Sequence, residues 1–270
     1  PNKGLRQCVM GRWDTRTNEG DGLGINPQGR LEFWVGDGKE VDYVTAELPL
    51  IKKVWYFIGV SFNHETGTAT LYQEGLLNRY NSLIGMVAPY DFSSHVQTKF
   101  RFRQKNREDV PFVVAGALDF HVLIGIFIND MYSGKVDRFG VCNRALSREE
   151  MDNICGGRRP TEDSIVAFWD TTAGYTENGI GTSVLDTGPN GLTAKGVNHP
   201  VRCLTGWNWS GKNDCFRLSP GEYGGMEFHQ EAVTDCGWEV TKTMQIPMDL
   251  RSGVYAIRLM AGDRVGLGEE

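Results

Sequence analysis

The chain has 270 residues, 34 of them Gly and 11 % aromatic, which is long enough for one large β-sandwich of about 150 to 200 residues plus a second piece. Its 28 Lys+Arg against 34 Asp+Glu leave a net charge of −6, the wrong sign for a surface that displaces counterions from nucleic-acid phosphates. No stretch approaches the roughly 20 apolar residues of a membrane span and no signal peptide precedes Pro1, so the expectation is a cytoplasmic protein with neither nucleic acid nor membrane among its partners. A start without Met and an end at Gly-Glu-Glu are expected of a piece of a longer protein.

Cys8, Cys142, Cys155, Cys203, Cys215 and Cys236 show no C-x-x-C spacing and no nearby His that completes a zinc site. Buried free thiols are expected, with three disulfides as the alternative for a secreted protein. In chain order, Leu31, Phe33 and Val35 alternate after the turn Asn26-Pro-Gln-Gly29, and Asp37-Gly38 ends the run, as in a hairpin strand. Val54 to Phe62 is apolar on both parities, which predicts a strand covered on both faces at the centre of a sheet. Asn63-His-Glu-Thr-Gly67 then leads into Thr68 to Gln73 as a hairpin.

Glu40, Asp42 and Glu47 come near a glycosidase carboxylate pattern, but Glu47 stands an odd number of residues from Glu40 and faces away on one strand. Lys99, Arg101, Arg103, Lys105 and Arg107 alternate with Phe100, Phe102, Gln104 and Asn106. A single strand would be basic on one face, either as a solvated surface or as an electrostatic dock in which Arg101 and Arg103 meet an acidic neighbour.

Further on, Ser147 with Glu150 forms a capping box, Leu146 and Met151 a hydrophobic staple, and Gly156-Gly157 before Arg158-Arg159-Pro160 a left-handed stop, predicting a two-turn helix. Ser164 to Asp170 reads as a further strand. The run Gly134-Lys-Val-Asp137 into Arg144-Ala-Leu-Ser-x-x-Glu150 is similar to the closing segment of laminin-G-like, concanavalin-A-like sandwiches. So is the earlier pair of motifs, Trp55-Tyr56 to Ser61 and Thr66-Gly67 to Leu71-Tyr72. The implied fold class is all-β: a concanavalin A-like (laminin-G-like) jelly-roll sandwich over residues 1–170, then strands of a second, truncated β-domain over 171–270.

Beyond residue 164 the motifs are longer. Trp169-Asp170, Asp186-Thr-Gly-Pro-x-Gly191, Asn198-x-Pro-x-Arg-x-x-Thr-Gly-x-x-Trp209, Phe228-His229, Gly237-Trp-Glu239 and Pro247-x-x-Leu-Arg-Ser-Gly-Val-Tyr-Ala-Ile-Arg-Leu259 occur in the order in which they stand in the large subunit of N,N-dimethylformamidases. The resemblance implies a parent enzyme that hydrolyses a small amide to a carboxylic acid and an amine. It also implies an iron centre held by tyrosine and glutamate in a further C-terminal domain, where the metal would polarise the carbonyl and activate a water.

No residue of this segment matches those ligands, so the segment is expected to hold no metal and no catalytic residue and to be inactive alone. Its expected role is to organise contacts with its own C-terminal catalytic domain and a small subunit in an oligomer. The alternative is a carbohydrate-binding, lectin-like module using Asp21-Gly-Leu-Gly24 and the Asn129-Asp130-Met-Tyr132 loop. Glu227, His229 and Asp235 are candidates for a polar binding site, although Gln230-Glu231-Ala232-Val233 stand where the family has several acidic residues after its Phe-His. Trp207 and Trp209 share one strand parity and could stack a ligand or fill a domain interface. Pro247 to Leu259 has the alternation of a strand.

Overall fold

The computed structural model describes residues 4–76, 78, 92–101, 108–122, 125–176, 179–229, 239–240 and 242–256. The chain falls into two compact units, Pro1–Ala232 and Val233–Glu270. In the first unit, strands β1 (Gln7–Asp14), β2 (Glu19–Ile25), β3 (Arg30–Asp37) and β4 (Val41–Pro49) form an antiparallel meander. Strands β5 (Trp55–Asn63), β6 (Thr68–Leu76) and β7 (Ser94–Lys99) form a second antiparallel sheet. Strand β8 (Val113–Val114), β9 (Ala117–Val122) and β10 (Gly125–Asn129) extend the first sheet, whose order is β10-β9-β1-β2-β3-β4 with β8 also paired to β1.

Turn chemistry sets the register of both hairpins. Asn26 Oδ1 accepts the amides of Gln28 and Arg30 at 3.0 Å each, and Asn63 Oδ1 accepts those of Glu65 and Thr66, also at 3.0 Å. Gly67, at φ +73, closes the second loop in the left-handed region that L side chains rarely adopt.

Alternation then assigns each face. Leu31, Phe33 and Val35 of β3 point at Ala69 and Leu71 of β6, joined by Leu23, Val44, Ala46 and Phe100 in one core between the sheets. Phe33 stacks on Phe100 with ring centroids 5.8 Å apart. The other parity of β3 carries Trp34, fully buried and edge-on to Trp13 at 6.1 Å. Gly22 lacks a side chain because a Cβ there would lie 2.3 Å from the Trp34 ring. The outcome is an all-β sandwich, in keeping with the periodicity of the sequence.

Strand β5 differs from the expected central position: it ends the order β5-β6-β7 and, among the described residues, has a neighbour on one side only. Its outer parity is covered by a helix instead. Helix α1 (Arg148–Cys155) lays the buried Met151 over Gly59, whose absent Cβ leaves the room. The helix starts as expected, with both bonds of the Ser147–Glu150 capping box formed, and Gly157 at φ +87 makes the left-handed stop, while Gly156 does not.

Strands β11 (Gly134–Val136), β12 (Phe139–Cys142), β13 (Ile165–Trp169), β14 (Ser183–Val184), β15 (Ala194–Lys195), β16 (Val201–Leu204) and β17 (Gly225–Phe228) complete the unit. β12 pairs with β13, and β11 pairs with β17 across the expected boundary near residue 170. Met226 of β17 shares a core with Phe139, Ala167, Trp169 and Val184. Backbone pairing therefore joins residues on the two sides of residue 170 in one compact unit.

In the second unit the described residues from Pro247 to Ala256 form no strand, contrary to the alternation of the sequence. A strand needs a partner's amides and carbonyls, and this segment makes only local bonds, such as the Leu250 amide to the Pro247 carbonyl at 3.2 Å. Five described cysteines are free thiols, with Cys8 fully buried; Cys236 lies outside the described residues. Among the described residues no helix is long and apolar enough to cross a membrane.

The inter-sheet core is expected to carry the stability of the sandwich. Leu71→Ala, at a site with no exposure, should lower the unfolding free energy in urea by about 2–5 kcal/mol, and a change below 1 kcal/mol would show that the two sheets do not pack as described.

Candidate functional site

Past β13 regular pairing thins out, and side chains take over the satisfaction of backbone groups. Arg202 on β16 sends its guanidinium inward, donating to the carbonyls of Ser183 at 2.6 Å, Thr171 at 2.9 Å, Ile180 at 3.3 Å and Ala173 at 3.4 Å. The planar fork suits several carbonyls at once, as a lysine ammonium would not. Burial lowers its pKa from the ordinary arginine value, Cys203 and Asp170 acting the other way. Asp186 does the complementary work: its carboxylate accepts the amides of Phe168, Gly188 and Leu192 at 2.7–2.8 Å. Burial opposes its ionised form, but those three amides and Arg159 hold it below the usual carboxylate range.

Asp137, directly after β11, is the centre of a buried polar node. Its side chain is 1 % exposed, and its Oδ1 accepts from Thr171 Oγ1 at 3.2 Å while Thr171 in turn accepts the Arg138 amide at 3.3 Å. The carboxyl group lies against the backbone of Gly206 and Gly224: a Cβ on either would meet its oxygens at 2.3 and 2.1 Å. Burial raises its pKa; Arg138, the Trp207 amide and Thr171 pull it down, and Asp170 adds to the rise. Arg138 is held in the left-handed region at φ +44 and donates to the Gly221 carbonyl at 2.8 Å.

A different surface is concave. A groove of about 580 Å³ runs over the outer face of β5, β6 and β7 beside the start of α1. The strand register lays Ser61, Thr70 and Gln97 in one transverse row and Asn63 beside Thr68 in the next, with Tyr72 and His95 in a third. Leu146, Ser147 and Arg148 form the wall, tied to the floor by Ser61 Oγ donating to the Leu146 carbonyl at 2.7 Å. At one end His95 Nε2 sits 2.5 Å from Glu74 Oε1, and the same carboxylate accepts from the Ser93 hydroxyl. The groove offers hydroxyls and carboxamides and no carboxylate among its lining residues.

The sequence candidates are scattered by comparison. Glu227 lies on β17 opposite Lys135 and Val201, His229 follows on an exposed position, and no hydrogen bond or ion pair joins the two; Asp235 lies outside the described residues. Strand β7 stops at Lys99, so the expected basic strand does not run through Arg101. Arg101 instead binds Asp42 through its amide at 2.6 Å and its guanidinium at 2.7 and 3.0 Å, with Glu40 at 3.3 Å, so its charge is engaged within the chain; Arg103 is outside the described residues.

Asp21 to Gly24 are not loop residues but lie within β2, where burial pushes the Asp21 carboxyl up to about 7 against the pull of Arg12. Asp130 has its carbonyl tied to the Cys8 amide at 2.7 Å, and the half-buried Tyr132 donates to the Lys135 carbonyl at 3.2 Å. Trp209 Nε1 donates to the Asn213 carbonyl at 2.8 Å, and Asn78 donates to the carbonyls of Trp207 and Trp209 at 3.2 and 2.8 Å, so both tryptophans sit in a bonded loop beyond β16. Among the described residues no three His, Cys, Asp or Glu side chains converge as metal donors.

Sequence comparison finds relatives of this β-sandwich, whose later strands are pinned by Arg202, Asp186 and Asp137, among N,N-dimethylformamidase beta subunits. Residues 201–266 match the family described as "N,N-dimethylformamidase beta subunit-like, C-terminal". Over 266 residues, 97 % of this chain, the sequence is 32 % identical to the N,N-dimethylformamidase beta subunit of Alcaligenes sp and 33 % identical to that of Paracoccus aminophilus. The chain is a relative of the N,N-dimethylformamidase beta subunit, and it spans about a third (34 %) of the length of each of these proteins.

The clamp at Arg202 lies at the start of the matched segment and can be tested directly. Arg202→Lys should lower stability by on the order of 2 kcal/mol, because one ammonium cannot reach carbonyls on both sides of the fork. Unfolding curves that superimpose on those of the unaltered chain would show that the carbonyl cradle contributes nothing.

Proposed function

We propose that the chain is a non-catalytic β-sandwich region of an amide hydrolase of the N,N-dimethylformamidase type, organising contacts between the parts of that enzyme. The observation that carries this reading is the similarity to two beta subunits along 97 % of the chain, in a segment that makes up 34 % of their length. The parent activity would convert an amide and water to a carboxylic acid and an amine, with the reacting groups and any iron in the remainder of the longer protein. In this reading the contacts are with that remainder and with a small subunit, in an oligomer. The clamped segment supports it: side chains such as Arg202 and Asp137 hold the irregular chain after β13 as rigidly as a sheet would, as an organising region requires.

The test is activity and iron content together. The purified chain should show no turnover of N,N-dimethylformamide and retain no iron after dialysis, whereas a longer protein carrying the same segment should have both. Turnover that grows in proportion to the concentration of the chain and survives repurification would overturn the proposal.

The groove over β5, β6 and β7 favours carbohydrate binding as the second reading, since eight of its twelve lining residues carry neutral hydroxyl or carboxamide groups and it has room for a sugar. A glycan array with competing free sugar separates the two. Under the organising role no competable signal is expected, and a signal abolished in the double variant Thr70→Val, Gln97→Ala would establish the groove as a lectin site.

A further inference from the structure

Two acceptor oxygens lack a donor at the joint between β11 and the loop after β16. Asp137 Oδ2 and Asn208 Oδ1 are both buried without a hydrogen-bond partner. Both lie within 3.2 Å of the point where a Cβ on Gly206 would sit, so they share one small space. The Asn208 amide cannot turn round cheaply: its Nδ2 donates to the Gly221 carbonyl at 3.1 Å, and the reversed amide would set oxygen against oxygen there. Two buried acceptors facing one small space, one of them a carboxylate, are costly unless a donor enters between them.

We propose that Asp137 is carried as the neutral carboxylic acid, its Oδ2–H supplying the donor that Asn208 Oδ1 lacks. The proton is taken up from water as the chain folds, and it links the Asp of the Gly-Lys-Val-Asp run to the Thr-Gly-Trp-Asn loop. The surrounding charges allow this state. Arg138 stands 3.8 Å from Asp137 Oδ1 but equally 3.8 Å from Asp170 Oδ1, and Asp170 is the more exposed partner, 29 % against 1 %, so the guanidinium keeps a counterion when Asp137 is neutral.

Thr171 Oγ1 donates to the other oxygen, Oδ1, which leaves Oδ2 as the one to bear the proton. From the remaining sides come the Trp207 amide and the backbone of Gly206 and Gly224. Glu222 presents its carbonyl to the Gly206 amide and turns its carboxylate away to Ser210. Burial shifts Asp137 in the direction this state requires.

The pH effect has a definite sign. A carboxyl group with its folded pKa above the unfolded one stabilises fully below the unfolded pKa, 3.8 for Asp, and loses that contribution as pH rises through the folded value. Asp137→Asn presents an amide N–H where the acid presents O–H and cannot ionise. Its melting temperature should match that of the unaltered chain below about pH 4 and exceed it by a margin that grows as pH rises from there through the folded pKa of Asp137. In infrared difference spectra between the two chains at about pH 6, the unaltered chain should show the carbonyl stretch of a protonated carboxylic acid.

Asn208→Ala, which removes the acceptor, should move the midpoint of that stretch to lower pH, and it serves as the second variant if Asp137→Asn does not fold. An Asp137→Asn chain that is less stable than the original by a margin widening with pH, with no acid band, would overturn the proposal. It would mean an ionised Asp137 paired with Arg138 and a water between the two oxygens.

Discussion

Backbone satisfaction without a sheet is the constraint on which the later half of this fold depends. Up to β10 the ladders of the two sheets pair most amides and carbonyls, and the core between them needs only apolar side chains of the right parity. After β13 the strands shrink to two or four residues, so the chain between them must find its hydrogen bonds elsewhere. Arg202 gathers carbonyls from the segments around Thr171 and Ser183, Asp186 gathers amides from Phe168 to Leu192, and Trp169 Nε1 reaches the Leu192 carbonyl at 2.6 Å. Each of these side chains is a residue of the long motifs that single out the family.

These motif residues sit in structural roles. The Asp of Asp186-Thr-Gly-Pro-x-Gly191 caps a turn and accepts three amides. The donors of Arg202, three residues before Thr-Gly, end on carbonyls inside the unit. Irregular chain held by a few multidentate side chains tolerates little substitution, because losing one leaves several buried backbone groups unpaired at once. A strand tolerates more, since each rung loses one bond.

The sandwich was legible because its signals are local. Alternation in Leu31, Phe33 and Val35, the Asn26 and Asn63 turns and the Ser147 capping box each involve residues within a few positions of one another. The role of β5 was not, since apolar residues on both parities fit a central strand and equally a strand under a helix; Met151, 92 residues from Gly59, decides it. Pro247 to Ala256 shows the converse. Its alternation is real, but pairing is a property of two segments, and no partner strand lies among the described residues.

The candidate site was the least legible part. Glu227 and His229 are near in sequence yet not bonded to each other, and Arg101 finds Asp42 and Glu40 across 59 and 61 positions, pairings that no local spacing announces. Asp137 carried no mark beyond its place in a strand-ending run, because what distinguishes it comes from Gly206 and Gly224, far along the chain. The absence of a Cβ at those two positions lets backbone close over a carboxyl group. A side chain at either would have to displace the carboxyl group or the loop, so the glycines and the acid act as one unit. The joint between the first sheets and the family-matched segment is therefore built from a void in two residues and a buried acid in a third, an arrangement in which spacing along the sequence carries no information about contact.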